Sequence, residues 1–243
     1  MAFQFLGYVP PPRPNVGPEG TEQDNPLFFS ASTLTLGSGP DEGFIFDNEK
    51  WRHPVRLPAF AIDANPVTEQ RFATFIDAGG YHNPSLWSVA GWAWRTSNEI
   101  THPLYWQQKN GNWQVRRFEC WTPLRHASAM LHVSYFEAEA FAQWAQRQLP
   151  SASQWLAASA SPAFRWGMAW EWLRDPFVPY PDFQTDPYRD YSQPWFHSHQ
   201  ELRGAGPVTD RQLRRPGLRN FYLPHRRDPF TGFRTARQTD AAT

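Results

Sequence analysis

Asn65-Pro66-Val67-Thr68-Glu69-Gln70-Arg71-Phe72-Ala73-Thr74-Phe75-Ile76-Asp77-Ala78-Gly79-Gly80 is the stretch on which the fold reading turns. Thr68 is a good helix N-cap, because its hydroxyl can accept from a free amide of the first turn, and Glu69 suits the positive end of that turn. Val67 can staple against Phe72. Phe72, Phe75 and Ile76 then share one face, and Gly79-Gly80 ends the helix. Further along, Ser134 to Glu137 spells a capping box, and Ala138, Phe141, Ala142 and Ala145 make a buried stripe that runs to about Arg147. A third, short helix opens at Ser151, with Gln154 as the reciprocal cap and Trp155 packing inward. Towards the N-terminus, Ser32-Thr33-Leu34-Thr35-Leu36-Gly37 alternates and reads as a strand. Val55-Arg56-Leu57-Pro58-Ala59-Phe60-Ala61-Ile62 reads as a second strand, its proline placing it at an edge or a bulge. Everything after Ala160 reads as irregular, aromatic and turn-rich. Two main helices with short strands and much coil predict an α+β domain.

Composition narrows the function. The 243 residues carry 23 Lys+Arg against 23 Asp+Glu, so net charge gives no case for nucleic acid or an anionic membrane as the main partner. The 13 Trp, 19 Phe and 8 Tyr can fill a sizeable core, and the 24 Pro and 15 Gly break the chain too often for a helical bundle. The single cysteine, Cys120, permits no intrachain disulfide and no cysteine-based zinc site. Next to Trp121, with Arg117 its nearest basic neighbour, it reads as an inert buried thiol. No window reaches the roughly 18 apolar residues of a membrane span, and Met1 to Pro10 has no signal-peptide pattern, so a cytoplasmic protein is expected. Lys50 and Lys109 are the only lysines, which leaves 21 arginines. Base composition is the plain account of that skew, and bidentate carboxylate recognition the sharper one. The reading divides the chain into a proline-rich arm over 1–28, a domain over 29–237 and a disordered tail over 238–243.

A series of short motifs follows one order. Phe46-Asp47-Asn48-Glu49, His53-Pro54-Val55 and Pro66-Val67-Thr68 come first. Gly79-Gly80-Tyr81, Gly91-Trp92-Ala93-Trp94, Pro103-Leu104-Tyr105-Trp106 and Val133-Ser134-Tyr135-Phe136-Glu137-Ala138 follow. Leu149-Pro150-Ser151, Trp170-Glu171-Trp172, Leu202-Arg203-Gly204 and Gly232-Phe233-Arg234 complete the series. Together they resemble the formylglycine-generating-enzyme, or sulfatase-modifying-factor, domain, which implies a C-type-lectin-like α+β fold over about residues 30 to 237. Gly-Trp-Ala-Trp, Pro-Leu-Tyr-Trp, the run Pro187-Tyr188-Arg189-Asp190-Tyr191-Ser192 and the tail Arg219-Asn220-Phe221-Tyr222-Leu223-Pro224-His225-Arg226-Arg227 are similar to the ergothioneine-type sulfoxide synthases and related selenoneine synthases. Such enzymes couple a thiol or selenol to a histidine-betaine imidazole with O₂ and a mononuclear non-haem iron.

The chain also departs from that pattern. The full-length enzymes carry an N-terminal helical bundle with an H-x₃-H-x-E motif for iron, and no such helix is written here. Gly204-Ala205-Gly206 replaces Gly-Gly-Ser, and Gly167-Met168-Ala169 replaces Gly-Asn-Val, which weakens the case for a calcium site there. With Cys120 alone, the copper-binding cysteine pair of true formylglycine-generating enzymes is missing and that activity is not expected.

The resemblance implies two groups of site residues. Tyr188 and Tyr191, three apart, would face one cavity as a catalytic pair, one phenol giving a proton and the other helping to hold the imidazole, with the order of roles open and Tyr188 the preferred donor; a phenol is neutral at pH 7 and can give a proton. Asn220, Phe221, Tyr222 and Arg226 match the substrate-binding tail. Phe221 would face a trimethylammonium group and Arg226 would grip a carboxylate, while Arg227 would point away or pair with Asp228 at the surface. The plainer account of both groups is structural: half-buried tyrosines, and arginines in ion pairs, which for Arg234 is the preferred reading. His53 reads as a strand or core residue, and His197-Ser198-His199 as a solvated pair without a third ligand. Trp170-Glu171-Trp172 reads as architecture, two indoles in the core and one carboxylate on backbone amides. The expected function is a stand-alone lectin-like half of a sulfoxide synthase. It would act on a small zwitterion (histidine betaine, with a thiol or selenol), with iron(II) supplied by a helical-bundle partner and no metal held by this chain. The alternative is a degenerate, non-catalytic binding module of the same fold.

Overall fold

A computed structural model describes residues 26–239. Four helices form: α1 (Glu69–Asp77), α2 (Val89–Ser97), α3 (Tyr135–Trp144) and α4 (Ala152–Ser159). The expected caps are in place. Thr68 accepts from the amide of Arg71, and Ser134/Glu137 and Ser151/Gln154 each form a reciprocal box. At α4 the Asp175 carboxylate also accepts from the amide of Ala152 at 2.6 Å, a negative charge on the positive helix end. α1 and α3 bring their apolar faces together. Phe72 stacks on Phe141 with centroids 5.6 Å apart, and Phe233 closes the cluster 5.2 Å from Phe141. These rings are fully buried, and burial of each contributes roughly 1.5–3 kcal/mol. α2 carries no such stripe: Val89 is exposed, and Gly91 lets the helix approach Phe136, so the helix escapes a periodicity reading.

Among the described residues, twelve strands make four small sheets. β1 (Pro26–Phe29), β4 (Phe60–Asp63) and β12 (Ala236–Gln238) form one antiparallel sheet in the order β1-β4-β12. β2 (Ser32–Leu36) pairs with β3 (His53–Leu57). The single strand expected over 55–62 is therefore two, broken at Pro58-Ala59, where the chain leaves one sheet for another. His53 opens β3, as a strand residue. β5 (Trp106–Lys109), β6 (Asn112–Arg117) and β7 (Cys120–Pro123) form a meander. Cys120 lies exposed at its last turn, because an edge hairpin leaves that position uncovered, so the expected buried thiol is corrected. Gln238 closes β12, and residues 240–243 of the expected tail, like 1–25 of the expected arm, lie outside the described residues.

The stretch after Ala160 holds the largest sheet. β8 (Trp170–Pro176), β9 (Gln200–Gly204), β10 (Asn220–Tyr222) and β11 (Thr231–Gly232) run in the order β10-β9-β8-β11, with β11 parallel to β8 and the other pairs antiparallel. An irregular reading fails there for a physical reason. Glu171, Glu201 and Arg203 are as buried as the apolar residues beside them, so no polar–apolar alternation marks the strands. Glu171 sits at the centre: Arg234 binds both its oxygens, at 2.5 and 2.8 Å, and the Trp155 indole donates to it at 3.0 Å. The Glu171 carboxylate thus ties side chains rather than backbone amides, and Arg234 is the structural ion pair expected.

Candidate functional site

β10 is the edge of the four-stranded sheet, and its side chains alternate. Phe221 is opposite Glu201 in register. Beneath this strand, Arg219 donates to Glu201 at 2.6 Å and Arg203 donates to it at 2.9 Å, all three groups being buried. Burial alone would raise the Glu201 carboxyl, but Arg219 and then Arg203 overcome it and hold the pKa below the usual value. The Arg219 guanidinium lies 4.0 Å above the Tyr180 ring and donates to the carbonyls of Asn48 and Val178, at 2.6 and 2.8 Å. This network fixes β10 against the loops on either side of it.

On one side of β10, Phe221 stacks on Phe177 at 4.2 Å. Tyr191 stands edge-on to Phe221 at 6.2 Å, stacks on Phe46 at 4.4 Å, and has Tyr188 at 6.4 Å. Burial, followed by the charges of Glu49 and Asp47, pushes the Tyr191 phenol up to about 12, so it keeps its proton. Ser192, the next residue, is hydrogen-bonded to Asp47 and accepts from Asn48 at 3.0 Å, which pins this loop to the Phe46-Asp47-Asn48-Glu49 segment. Tyr188 is 68% exposed, its ring at the rim. The expected pair therefore divides: a packed Tyr191 and an open Tyr188.

Tyr222 packs away from this wall, 6.5 Å from Trp172, with the Arg226 guanidinium 5.7 Å over its ring. The Asn220 amide oxygen accepts from the Phe221 backbone at 2.9 Å. The six residues expected at the site thus occupy the two sides of an edge strand, and Arg226 stands at the end of that strand. Its charge acts on His199, whose ring lies 5.8 Å from Phe221. Arg226, not Arg227, is the partner of Asp228, with contacts of 2.5 Å from both Nε and Nη2. Of the two expectations for Arg227, the pair with Asp228 is corrected and the side chain points away: its guanidinium lies 5.5 Å from the Trp94 ring and reaches the His102 carbonyl and Glu137. The short Arg226-Arg227-Asp228 turn favours the pair two residues apart.

Sequence reasoning missed Glu201, which belongs to no motif with a chemical meaning, and named Asp228 only as a partner of Arg227. His199 falls one residue before β9, where the alternate-residue pattern with His197 reads as a solvated loop. The structure instead leaves His197 exposed and half-buries His199 against Phe221. Among the described residues, no three His, Cys, Asp or Glu side chains converge to hold a metal ion. The donor set therefore does not fit a mononuclear iron site, which requires about three protein ligands. Among the same residues, no helix is long and apolar enough to cross a membrane.

The sulfatase-modifying factor enzyme 1-like domain matches residues 18–167. A hercynine oxygenase of Mycolicibacterium thermoresistibile is 32% identical, over 97% of this chain and 62% of its own length. A hercynine oxygenase of Mycobacterium tuberculosis is 33% identical, over 81% of this chain and 56% of its own length. The chain thus spans less than two thirds of either relative. The solved structure of PvdO from Pseudomonas aeruginosa superposes with a TM-score of 0.55 at 15% identity, covering 91% of this chain and 97% of that one, and so shares the fold.

Proposed function

We propose, since this chain belongs to the sulfatase-modifying factor enzyme 1-like family, that it is the substrate-binding half of a hercynine-oxygenase-like enzyme. The reaction is the joining of a thiol to the imidazole of histidine betaine. A C–H and an S–H bond are lost, a C–S and an S–O bond form, and O₂ gives one oxygen to the sulfoxide and one to water. Iron(II) would be held by residues outside this chain, since the described ones do not fit it.

One observation carries the reading: the aromatic wall of Tyr191 and Phe221 lies on one side of β10 with the exposed Tyr188 beside it, and Arg226 stands at the end of that strand, its charge felt by His199 against Phe221. A zwitterion needs those elements, an aromatic face for its quaternary ammonium and a guanidinium for its carboxylate. Tyr188 gives the proton, and Tyr191, held protonated, orders the wall. Calorimetric titration with histidine betaine tests this. Wild type is expected to bind and Phe221→Ala to lose most of the affinity. Absence of binding to the wild-type chain overturns the reading.

A further inference from the structure

His199 has no role in the reaction assigned above, yet its surroundings are built. Its ring is 5.8 Å from Phe221 and 5.2 Å from Trp195, meeting both at steep angles. Ser198 fixes its tautomer. The Ser198 hydroxyl lies 3.0 Å from the Trp195 carbonyl, which can only accept, so the single hydroxyl proton is spent there. The 2.9 Å contact between Ser198 Oγ and His199 Nδ1 must then be filled by a proton on Nδ1. Nε2 is left as a bare lone pair. Burial, opposed by the Trp195 carbonyl and aided by the charge of Arg226, lowers the ring's pKa and so favours its neutral form.

The neighbourhood selects what that lone pair takes. Phe221 has no proton to offer, and the indole N–H of Trp195 is spent on the Asp190 carbonyl at 3.1 Å. We infer that His199 is a substrate-binding residue that accepts, at Nε2, a hydrogen bond from the imidazole N–H of the bound zwitterion. The inference rests on the reading of this strand edge as the zwitterion pocket. It adds an orienting contact: the carboxylate at Arg226 and the ring N–H at Nε2 would together fix which imidazole carbon faces the thiol. His199 moves no electrons and no proton in this role.

Two substitutions separate the nitrogens. In His199→Asn the side-chain amide can replace Nδ1 against Ser198 but nothing replaces Nε2. In His199→Gln the amide oxygen reaches the ε position. Calorimetry with histidine betaine should show binding roughly three- to tenfold weaker for His199→Asn, the worth of one neutral hydrogen bond, and largely restored for His199→Gln. Nitrogen NMR of the free wild-type protein should show Nδ1 protonated and Nε2 bare. Equal affinities for wild type and His199→Asn, or a proton on Nε2, overturn the inference while leaving the pocket reading intact. No binding of the betaine to wild type overturns both.

Discussion

Arg226 offers its fork to Asp228, and the pair is partly exposed, at 38% and 25% of the side chains. A substrate carboxylate must compete with that partner. Asp228→Asn should therefore tighten histidine-betaine binding by up to about fivefold, since such a pair contributes about 0–1 kcal/mol, while Arg226→Lys should weaken it. Calorimetry that shows weaker binding for Asp228→Asn would remove Arg226 from the site. His132 is the other residue of consequence near this turn. Burial lowers its pKa from 6.5 to about 4, although the carbonyls of Asp228, Arg227 and Pro229 work against that. Its folded pKa lies below the unfolded one, so its contribution to stability is complete above pH 6.5. It declines as pH falls towards about 4. Between pH 7.5 and 5 the loss should be about 2 kcal/mol, at 1.36 kcal/mol per unit below 6.5. Denaturant unfolding at both pH values measures it, and His132→Asn should flatten the slope; an unchanged slope rejects the assignment. His132 does not announce itself in sequence. Tyr188, Tyr191 and the Asn220–Arg226 tail could be singled out because they sit in strings, whereas His132 acquires its role from burial against the Pro229 carbonyl, 97 residues further along the chain.

At the scale of elements, what the chain writes locally is what could be read. Thr68, Ser134 and Ser151 cap α1, α3 and α4 because capping depends on neighbours three residues apart. β8 and β9 could not be read, because their charged residues are satisfied by partners far along the chain: Glu171 by Arg234, Glu201 by Arg219. That reliance predicts how β9 fails. Glu201→Gln leaves Arg203 and Arg219 buried without their counter-charge and should cost about 3–5 kcal/mol. Glu42→Gln removes an exposed partner of Arg52 and should cost only about 0–1 kcal/mol. Thermal or denaturant unfolding of the two variants gives the comparison, and similar losses would mean that the Glu201 network does not hold the sheet. The two pH windows are separable as well. The Glu201 pKa is depressed below its ordinary 4.5, so its share of stability is present above that value and is lost only as pH falls below it.

For the whole molecule, the family was legible because eleven short motifs keep one order over most of the chain, although each alone is weak. The split of the site across two sides of β10 was not legible, since alternation in a three-residue strand is too short to assign faces from sequence. The same architecture bears on iron. His199 and His225 lie near enough to affect each other, and two imidazoles are a tempting start for a metal site. Arg226 is the third neighbour, and a guanidinium repels a divalent cation where a ligand should stand. No further carboxylate, thiolate or imidazole joins them among the described residues. Anaerobic titration of the full chain with ferrous iron should therefore show only weak, non-stoichiometric uptake. Adding a second protein that supplies the ligands should produce one iron per complex and, with betaine, thiol and O₂, turnover that Tyr188→Phe reduces by about 10²–10⁴-fold. A tight one-to-one site on the chain alone, lost in His199→Ala or His225→Ala, would show that Arg226 swings clear and that this strand edge binds the metal itself.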